Sequence, residues 1–276
     1  MSTNLSKTPK LLRRYRGKGL CGEIHWGDAL AFLRSLDDES ADLIFLDPPF
    51  NLGKAYDPAK PKADRRPAPE YWRWMELVLG ECVRVLSNGG ALYLYHLPLW
   101  AVRLGAPLSR RLELRHWIAV SMKNGFVRGK RLYPAHYGLL YFTKGEPRTF
   151  SRPRVKARVC HHCKHTVKDY GGYKEIITRK GINLSDIWED LSPVRHSQTK
   201  LRQQNQLPLS LTERVIAISG RKGGVLVDPF AGSGSVVVAA AKAGMVFKAC
   251  DIVRANCTLT AKRVASLPSA PRTKVD

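Results

Sequence analysis

The sequence predicts an α/β fold, with an open, mostly parallel sheet and helices on both faces. Three observations indicate this class. Apolar runs of strand length alternate with amphipathic segments of helix length. Two of the apolar runs, ending at Leu46 and Val227, stop at an aspartate followed by proline, and a glycine-rich turn leads from the second run directly into a helix. The 276 residues are enough for one large α/β domain, or for one such domain with a small insertion.

The expected elements follow this alternation along the chain. In the first half, the sequence predicts a helix over 27–40, a strand over 43–46, a loop over 53–69, a helix over 70–86 that the Asn-Gly-Gly of 88–90 ends, and strands over 91–97, 112–123 and 136–145. After residue 200 it predicts a helix over 208–220, a strand over 224–230, a helix over 235–244, a strand over 245–252 and a last helix that ends near 266.

Two segments depart from the alternating pattern. Residues 1–19 carry six lysines and arginines and predict a flexible basic arm. Residues 146–195 are basic, polar and short of core residues, which predicts a separate small module. The main domain would then consist of residues 20–145 and 196–276.

The net charge indicates a polyanionic partner. Lysine and arginine number 46 against 23 aspartates and glutamates, which gives +23 and a pI near 10.1. Neutralising nucleic-acid phosphates requires many dispersed cations, so this balance favours a nucleic-acid-binding protein over a merely basic one. Charge alone does not separate DNA from RNA.

The cysteine pattern is typical of a reduced, cytoplasmic protein. Several of the six cysteines lie within apolar runs, and no signal peptide or membrane-spanning run is evident, so no membrane partner is expected. Cys160 and Cys163 have the spacing of a zinc knuckle, and His165 and His196 could complete four ligands. Because no second Cys-x-x-Cys pair exists, we expect no metal and assign these residues to the 146–195 module.

A glycine turn, residues 228–234, predicts a site for a nucleotide-type cofactor. It follows a short apolar strand and opens directly into a helix. Gly232 and Gly234 would let the backbone pass close to a ligand, and the helix N-terminus offers free N–H groups. Asp251 ends the next strand, where an acid can meet ribose hydroxyls. The alternatives are tight strand–helix packing for the glycines and a solvated strand end or N-cap for Asp251.

The Asp-Pro-Pro-Phe segment, residues 47–50, is the second informative motif. Two consecutive prolines lack N–H donors, so the strand of residues 43–46 must end there. The result is a carboxylate and an aromatic ring on a stiff, extended turn. Considered by itself, the segment could be an ordinary turn with Asp47 as a local cap.

Together, "LDPPFN" and the downstream "DPFAGSGS" resemble the S-adenosylmethionine-dependent DNA amino-methyltransferases, which methylate an exocyclic base nitrogen. The order of the motifs is similar to the β arrangement of that family, a circularly permuted form of the Rossmann-like methyltransferase fold. "GDALAFLRSLDDESADLIFLDPPFNLGK", "RLYPAHYGLLYFTKG" and "NLSDIWEDLSPVRH" also look like family segments. In this arrangement the target-recognition region lies between the two motifs, which is the place of the 146–195 module.

The resemblance implies roles for individual residues. Asp47 and the carbonyl of Pro48 would accept hydrogen bonds from the target amino group, Pro49 would stiffen the turn, and Phe50 would stack on a flipped-out base. Tyr133 and His136 would line the base pocket. The implied cofactor-binding residues are Asp28, Ala29, Asp47, Asp228, Pro229, Phe230, Ala231, Gly232, Ser233, Gly234 and Asp251. Asp28 also suits a helix N-cap. Relatives often have Thr-Gln-Lys-Pro where this chain has Asn205-Gln206-Leu207-Pro208, so a lysine contact to the cofactor is missing.

The sequence thus predicts a DNA methyltransferase that moves a methyl group from S-adenosylmethionine to adenine N6. Cytosine N4 is the second choice, since Asp at the first motif position is the commoner adenine form in this family. RNA methylation and a non-catalytic DNA-binding protein are weaker alternatives. The expected partner is double-stranded DNA. Dimers are common among the enzymes that the chain resembles, so a homodimer and a cognate restriction endonuclease are further partners that the resemblance leaves open.

Overall fold

The computed structural model describes residues 8–17, 19–52, 66–121, 130, 132, 135–157, 171–191 and 206–267. Eleven strands occur in these ranges: β1 Lys10–Gly17, β2 Leu20–Trp26, β3 Ala41–Leu46, β4 Leu86–His96, β5 Glu113–Ser121, β6 His136–Thr143, β7 Arg154–Val155, β8 Ile182–Asn183, β9 Ile187–Trp188, β10 Val225–Asp228 and β11 Val246–Asp251. The helices are α1 Ala29–Arg34, α2 Ala68–Val85, α3 Pro98–Leu108, α4 Lys174–Lys180, α5 Leu209–Ser219, α6 Ser235–Lys242 and α7 Arg254–Ala265.

Nine of these strands form one sheet, in the order β1-β2-β11-β10-β3-β4-β6-β5-β9. Strands β2, β11, β10, β3 and β4 are mutually parallel, whereas β1 and β6 pair antiparallel with their neighbours. Five adjacent strands therefore present their carboxyl ends at one edge of the sheet, which is where open α/β sheets bind ligands.

Helices cover both faces of the sheet. Helices α1, α2 and α3 pack on the face that carries Ile44 and Leu92, and α5, α6 and α7 pack on the face that carries Leu43 and Tyr93. Successive residues of β3 and β4 are thus buried on opposite faces of the sheet, as expected for strands that helices cover on both faces. The predicted α/β class is confirmed.

The N-terminal arm is a correction to the sequence prediction. Residues 1–7 lie outside the described residues, but residues 10–17 form β1, an edge strand paired with β2, and not a flexible arm. The physical reason is that its polar sequence includes two partly buried side chains, Leu12 and Tyr15, which contact the core. The Tyr15 ring lies 5.6 Å from that of Phe247, its hydroxyl donates to the Ala261 carbonyl over 2.9 Å, and Leu12 packs on the same core.

The Asn-Gly-Gly of 88–90 does not end α2 as predicted. The helix ends at Val85, and β4 already begins at Leu86 and runs through the glycines. Gly89 has φ +74°, and the pairing of β3 with β4 shifts register between Ala41 and Leu43, so the glycines form an irregular strand start.

Two elements of the predicted main domain were absent from the sequence prediction. Strand β2 was not recognised, because its mixed sequence "LCGEIHW" does not alternate cleanly. Helix α3 was missed because it contains Pro98 and Pro107; Pro98 lies in its first turn, where the missing N–H costs nothing.

The 146–195 module is more closely joined to the main sheet than predicted. Within its described part, β9 pairs in parallel with β5 and Trp188 is almost completely buried in the main core. Arg214 of α5 forms two hydrogen bonds to Asp190, at 2.9 and 2.6 Å. The small β7–β8 sheet and α4 occupy the rest of the described part of the module.

A half-buried carboxylate joins the two motif-bearing strands, and it leads to a pH-dependent prediction. Asp42 of β3 accepts hydrogen bonds from the Val225 amide at 2.8 Å, from Arg221 at 2.9 Å and from Arg148 at 2.7 Å. Burial acts to raise the pKa of Asp42, but the Val225 amide and the two guanidinium groups outweigh it and hold the pKa below its ordinary value of 3.8. A lowered carboxyl pKa stabilises the fold fully above the ordinary value, and this stabilisation is lost as the pH falls through the folded-state pKa.

We therefore expect Asp42→Asn to lower the free energy of unfolding at pH 7, and the difference from wild type to narrow below about pH 4. Urea unfolding at pH 7, 4 and 3 measures this. Asp37→Asn, at an exposed position nearby, controls for the simple loss of a carboxylate. A difference that stays constant across this range would contradict the expected linkage.

Candidate active site

Four of the predicted site carboxylates lie along one edge of the sheet. Asp28 follows the end of β2, Asp251 and Asp228 are the last residues of β11 and β10, and Asp47 follows β3. These four strands are consecutive neighbours, so the Asp-Pro-Pro-Phe segment and the glycine turn lie beside each other although they are far apart in the chain. The pairing of Leu226 with Leu43 fixes this alignment.

The glycine turn is a tightly built backbone structure. Asp228 is buried, and its Oδ1 accepts a hydrogen bond from the Phe230 amide at 3.1 Å. Gly232 and Gly234 have φ values of +55° and +76°, a region that L-residues with a Cβ rarely adopt. A Cβ on Gly234 would also lie 2.6 Å from the Thr260 side chain. The packing interpretation of Gly234 therefore holds alongside any ligand contact.

Asp251 is not a solvated strand end, because its carboxylate accepts several hydrogen bonds within the protein. Its Oδ2 accepts from the Gly232 amide at 2.8 Å, and its Oδ1 accepts from the Val253 amide at 2.7 Å and from Asn256 at 3.0 Å. Only 8% of the residue is exposed. The carboxylate thus orders the glycine turn, and a ribose hydroxyl would have to share its acceptor oxygens.

Asp28 acts as the N-cap of α1. Its Oδ1 accepts from the amides of Leu30 and Ala31 at 3.0 and 3.1 Å, while Ala29 is buried behind it. The amide of Gly27 donates to the Asp251 carbonyl at 3.1 Å, so this corner lies directly beside the end of β11. The capping alternative is therefore observed, and the position remains compatible with an adenine contact.

The Asp-Pro-Pro-Phe segment is held from several sides. Asp47 and Pro49 are partly exposed, whereas Pro48 and Phe50 are buried. Directly after the segment, Asn51 has φ +56° and exchanges two hydrogen bonds with the backbone of Arg66, at 3.0 and 2.7 Å. This pair joins Asn51 to Arg66, and residues 53–65 between them lie outside the described residues.

Phe50 is more enclosed than a base-stacking residue would need to be. It is 5% exposed, and its ring stacks on His96 with the centroids 4.8 Å apart. The rings of Tyr137 and Tyr95 cover it at 5.8 and 6.1 Å. The Phe50 ring is therefore packed against His96 and both tyrosines, and little of it is exposed for a base to stack on.

Tyr95 and Tyr137 are site residues that the sequence prediction missed. Burial raises the pKa of both phenols, and the charge of the Asp47 carboxylate raises the pKa further. Of the predicted pocket residues, His136 is the first residue of β6, next to Tyr137, and Tyr133 lies outside the described residues. The alternation along "AHYGLLYF" predicts that Tyr137 and Tyr141 lie on the same face of the sheet, but it does not predict that Tyr137 is near Asp47.

A buried pair beneath the segment was also missed. His96 is the last residue of β4, and Tyr71 lies in the first turn of α2; both are at most 1% exposed. The Tyr71 hydroxyl lies 2.7 Å from His96 Nε2 and donates to the Pro49 carbonyl over 2.8 Å. The sequence signal for this pair was the histidine at the end of "ALYLYH". A polar residue at the end of β4 can lie near the Asp-Pro-Pro-Phe segment, because β4 pairs with β3.

The departure at residues 205–208 falls at the start of α5. Asn205 lies outside the described residues, and the Leu207 carbonyl accepts a hydrogen bond from Ser235 Oγ at 3.0 Å. A backbone group therefore joins this segment to the end of the glycine turn. Across the described ranges, no group of three or more His, Cys, Asp or Glu residues could hold a metal ion. The four zinc candidates, Cys160, Cys163, His165 and His196, lie outside those ranges.

This α/β protein has a glycine turn beside a carboxylate-proline segment, on the carboxyl edge of its sheet. Its class is that of the Rossmann-like methyltransferases. The profile of the family described as DNA methylase (N6_N4_Mtase) matches residues 41–262. The chain belongs to this family, which confirms the family predicted from the two motifs.

Individual relatives agree with this assignment. The chain is 41% identical over 244 residues to the type II methyltransferase M.BamHI of Bacillus amyloliquefaciens, covering 88% of this chain and 57% of that protein. It is 28% identical to the type II methyltransferase M.HpaI of Haemophilus parainfluenzae, covering 76% of this chain and 63% of that protein. The chain therefore spans less than two thirds of the length of either relative.

Solved structures establish the fold independently. The cytosine-N4-specific PvuII DNA methyltransferase superposes with a TM-score of 0.65 at 15% identity, covering 90% of this chain and 87% of that one. A putative DNA modification methylase of Thermus thermophilus, complexed with S-adenosyl-L-methionine, superposes with a TM-score of 0.57 at 22% identity, covering 88% and 94% of the two chains.

Proposed function

We propose that this protein is a site-specific DNA methyltransferase that transfers the methyl group of S-adenosylmethionine to an exocyclic amino nitrogen. One observation carries the proposal: the Asp-Pro-Pro-Phe segment and the glycine turn, on strands β3 and β10, end side by side at one edge of the sheet. A methyl donor bound at the turn would then lie next to groups able to hold the methyl acceptor.

The chemistry requires help from the protein because the lone pair of a base amino group is delocalised into the ring. Asp47 would accept one amino N–H bond and the Pro48 carbonyl the other, which localises the lone pair and directs it at the methyl carbon. S-adenosylmethionine, when bound at the turn, would supply the methyl group: its C–S bond would break as the N–C bond forms, and the sulfonium would become a neutral thioether. The extra amino proton would then leave the product, and Asp47, as an acceptor of an amino N–H bond, could take it up.

The cofactor proposal rests on the turn and its supporting acid. Gly232 and Gly234 bring the backbone close to the edge of the sheet, Asp251 orders the turn through the Gly232 amide, and Asp28 caps the adjacent helix. The residues therefore suit a nucleoside-type donor such as S-adenosylmethionine.

Double-stranded DNA is the proposed substrate. The net charge of +23 suits a phosphate polyanion, and an amino group inside a duplex could reach Asp47 only if its base were flipped out. We propose that residues 146–195 recognise the target sequence. A cytoplasmic location, a homodimer and a cognate restriction endonuclease are further proposals. None of the helices in the described ranges is both long and apolar enough to span a bilayer.

Adenine N6 and cytosine N4 are the two candidate acceptors. Asp47 at the first motif position favours adenine by family resemblance. The likeness to the cytosine-N4-specific PvuII enzyme favours cytosine as the second candidate.

The test uses the full chain with methyl-labelled S-adenosylmethionine and unmethylated genomic DNA, followed by digestion to nucleosides. Label in N6-methyladenine or N4-methylcytosine supports the proposal and identifies the base. Label taken up by RNA and not by DNA would correct the substrate. Absence of cofactor binding by calorimetry would overturn the proposal.

A further inference from the structure

We propose that His96 and Tyr71 are positioning residues of the methyl transfer, because they hold the Asp-Pro-Pro-Phe segment in the geometry that accepts the amino group. This inference rests on the proposed function. Neither residue belongs to the sequence motifs, and both are almost completely buried.

The two side chains form a directional chain of hydrogen bonds. The Leu97 amide donates to His96 Nδ1 at 2.8 Å, so Nδ1 carries no proton and the neutral ring carries its proton on Nε2. His96 Nε2 then donates to the Tyr71 oxygen, 2.7 Å away, and the Tyr71 hydroxyl donates to the Pro49 carbonyl over 2.8 Å. The end of β4 thus determines the direction of the carbonyl in the middle of the segment.

The histidine contacts the segment a second time through its ring face. The Phe50 ring stacks on the imidazole with the centroids 4.8 Å apart and the planes 26° apart. Burial lowers the pKa of His96 to about 3, so the ring is neutral at any ordinary assay pH. One neutral imidazole therefore holds the Pro49 carbonyl, through Tyr71, and the aromatic ring of Phe50.

Fixing one carbonyl is effective because little other freedom is left in the segment. The pyrrolidine rings set φ at Pro48 and Pro49, so ψ is the remaining backbone rotation at each residue. The hydrogen bond from Tyr71 fixes ψ of Pro49, and strand β3 fixes the start of the segment at Leu46. Asp47 and Pro48 each precede a proline, which restricts their ψ to the extended region, so the Asp47 backbone and the Pro48 carbonyl are held in place before the base arrives, which is the condition for efficient in-line transfer.

The first test compares Tyr71→Phe with Tyr93→Phe. Tyr71→Phe removes the hydroxyl but retains the ring that packs on Trp100 at 4.6 Å. Tyr93→Phe is the matched control. Tyr93 lies on β4, as His96 does, and it is as buried as Tyr71, but its hydroxyl contacts Ser219 Oγ at 2.8 Å and not the Asp-Pro-Pro-Phe segment. We expect Tyr71→Phe to lower kcat by about 100-fold with little change in KM for DNA or in the Kd for S-adenosylmethionine. The control should retain the wild-type kcat.

The second test asks whether kcat depends on the hydrogen bond that His96 Nε2 donates to Tyr71. Glutamine can present an N–H close to the position of Nε2, whereas leucine cannot. We expect His96→Gln to retain more of the wild-type kcat than His96→Leu. Long-range ¹H–¹⁵N NMR of the wild type, with the signal identified by its loss in His96→Gln, should show a protonated Nε2 and an unprotonated Nδ1.

The outcomes separate this inference from the proposed function. A wild type that transfers methyl groups, beside a Tyr71→Phe variant with unchanged kcat, would overturn the inference alone. Equal losses of kcat in Tyr71→Phe and Tyr93→Phe would also overturn it, as would a protonated Nδ1. A wild type that binds no cofactor and transfers no methyl group would overturn both. A selective loss of kcat in Tyr71→Phe, with glutamine rescue at position 96, would support it.

Discussion

Asp47→Ala is expected to lower the rate of methyl transfer by on the order of 10²–10³-fold, and by more if Asp47 also takes the product proton. Its carboxylate is the charged acceptor in the proposed clamp on the amino group, and the Pro48 carbonyl that remains is a weaker, neutral one. Cofactor binding should be largely retained, since the glycine turn is built from β10, β11 and their own hydrogen bonds. Single-turnover transfer of labelled methyl groups, measured beside calorimetric cofactor binding, separates the two effects.

Two further variants define this experiment. Asp47→Asn retains one acceptor oxygen without the charge, so its rate should lie between those of wild type and Asp47→Ala. Asp38→Ala removes a carboxylate from the surface, where its side chain is 76% exposed, and should leave the rate unchanged. An Asp47→Ala protein that kept most of its turnover would exclude the clamp mechanism.

Gly234→Ala is the second substitution with a large expected effect, and we expect it to abolish cofactor binding. The residue has φ +76°, which costs an L-residue about 1–2 kcal/mol, and the new Cβ would lie 2.6 Å from Thr260 Oγ1 and Cγ2. Thr260 is completely buried and its hydroxyl contacts the Gly232 carbonyl, so it has little room to move. The turn must shift, and the donor site should shift with it.

Gly223→Ala is the matched control for this effect. Gly223 has almost the same φ, +74°, but a Cβ there meets no atom within 4 Å. Both variants should lose the stability that the backbone strain costs, as thermal unfolding will show. Only Gly234→Ala should lose cofactor affinity, by calorimetry. Equal affinities in the two variants would mean that contact with Thr260 does not control the turn.

The parts of this molecule that could be predicted from sequence are those determined by neighbouring residues. Pro48 and Pro49 end a strand by themselves, and Gly232 and Gly234 make a turn by themselves, so both motifs were predictable from local chemistry. Their adjacency was not predicted, because it depends on the strand order, in which β10 and β3 are parallel neighbours. The structure confirms the fold class.

The enclosure of the site could not be predicted in the same way. Phe50 is covered by Tyr95, His96 and Tyr137, which come from two other strands, and no local pattern couples them to residue 50. Strand β1 was mistaken for a flexible arm because its basic residues outnumber Leu12 and Tyr15, the two side chains that bind it to the core. Tertiary contacts of a few side chains outweighed composition there.

The strand order has a consequence for how the chain is made. Strands β2 and β3 are consecutive in sequence, yet β11 and β10 lie between them in the sheet, with Val227 opposite Ile44 across 183 residues (227 − 44). At the usual rates of translation this separates the two pairing partners by roughly 10 to 40 s. During that interval the slot between β2 and β3 is unfilled, and the unpaired strand edges beside it favour aggregation. The slot closes only when residues 225–251 insert, so the newly made protein cannot acquire its donor site before that late step.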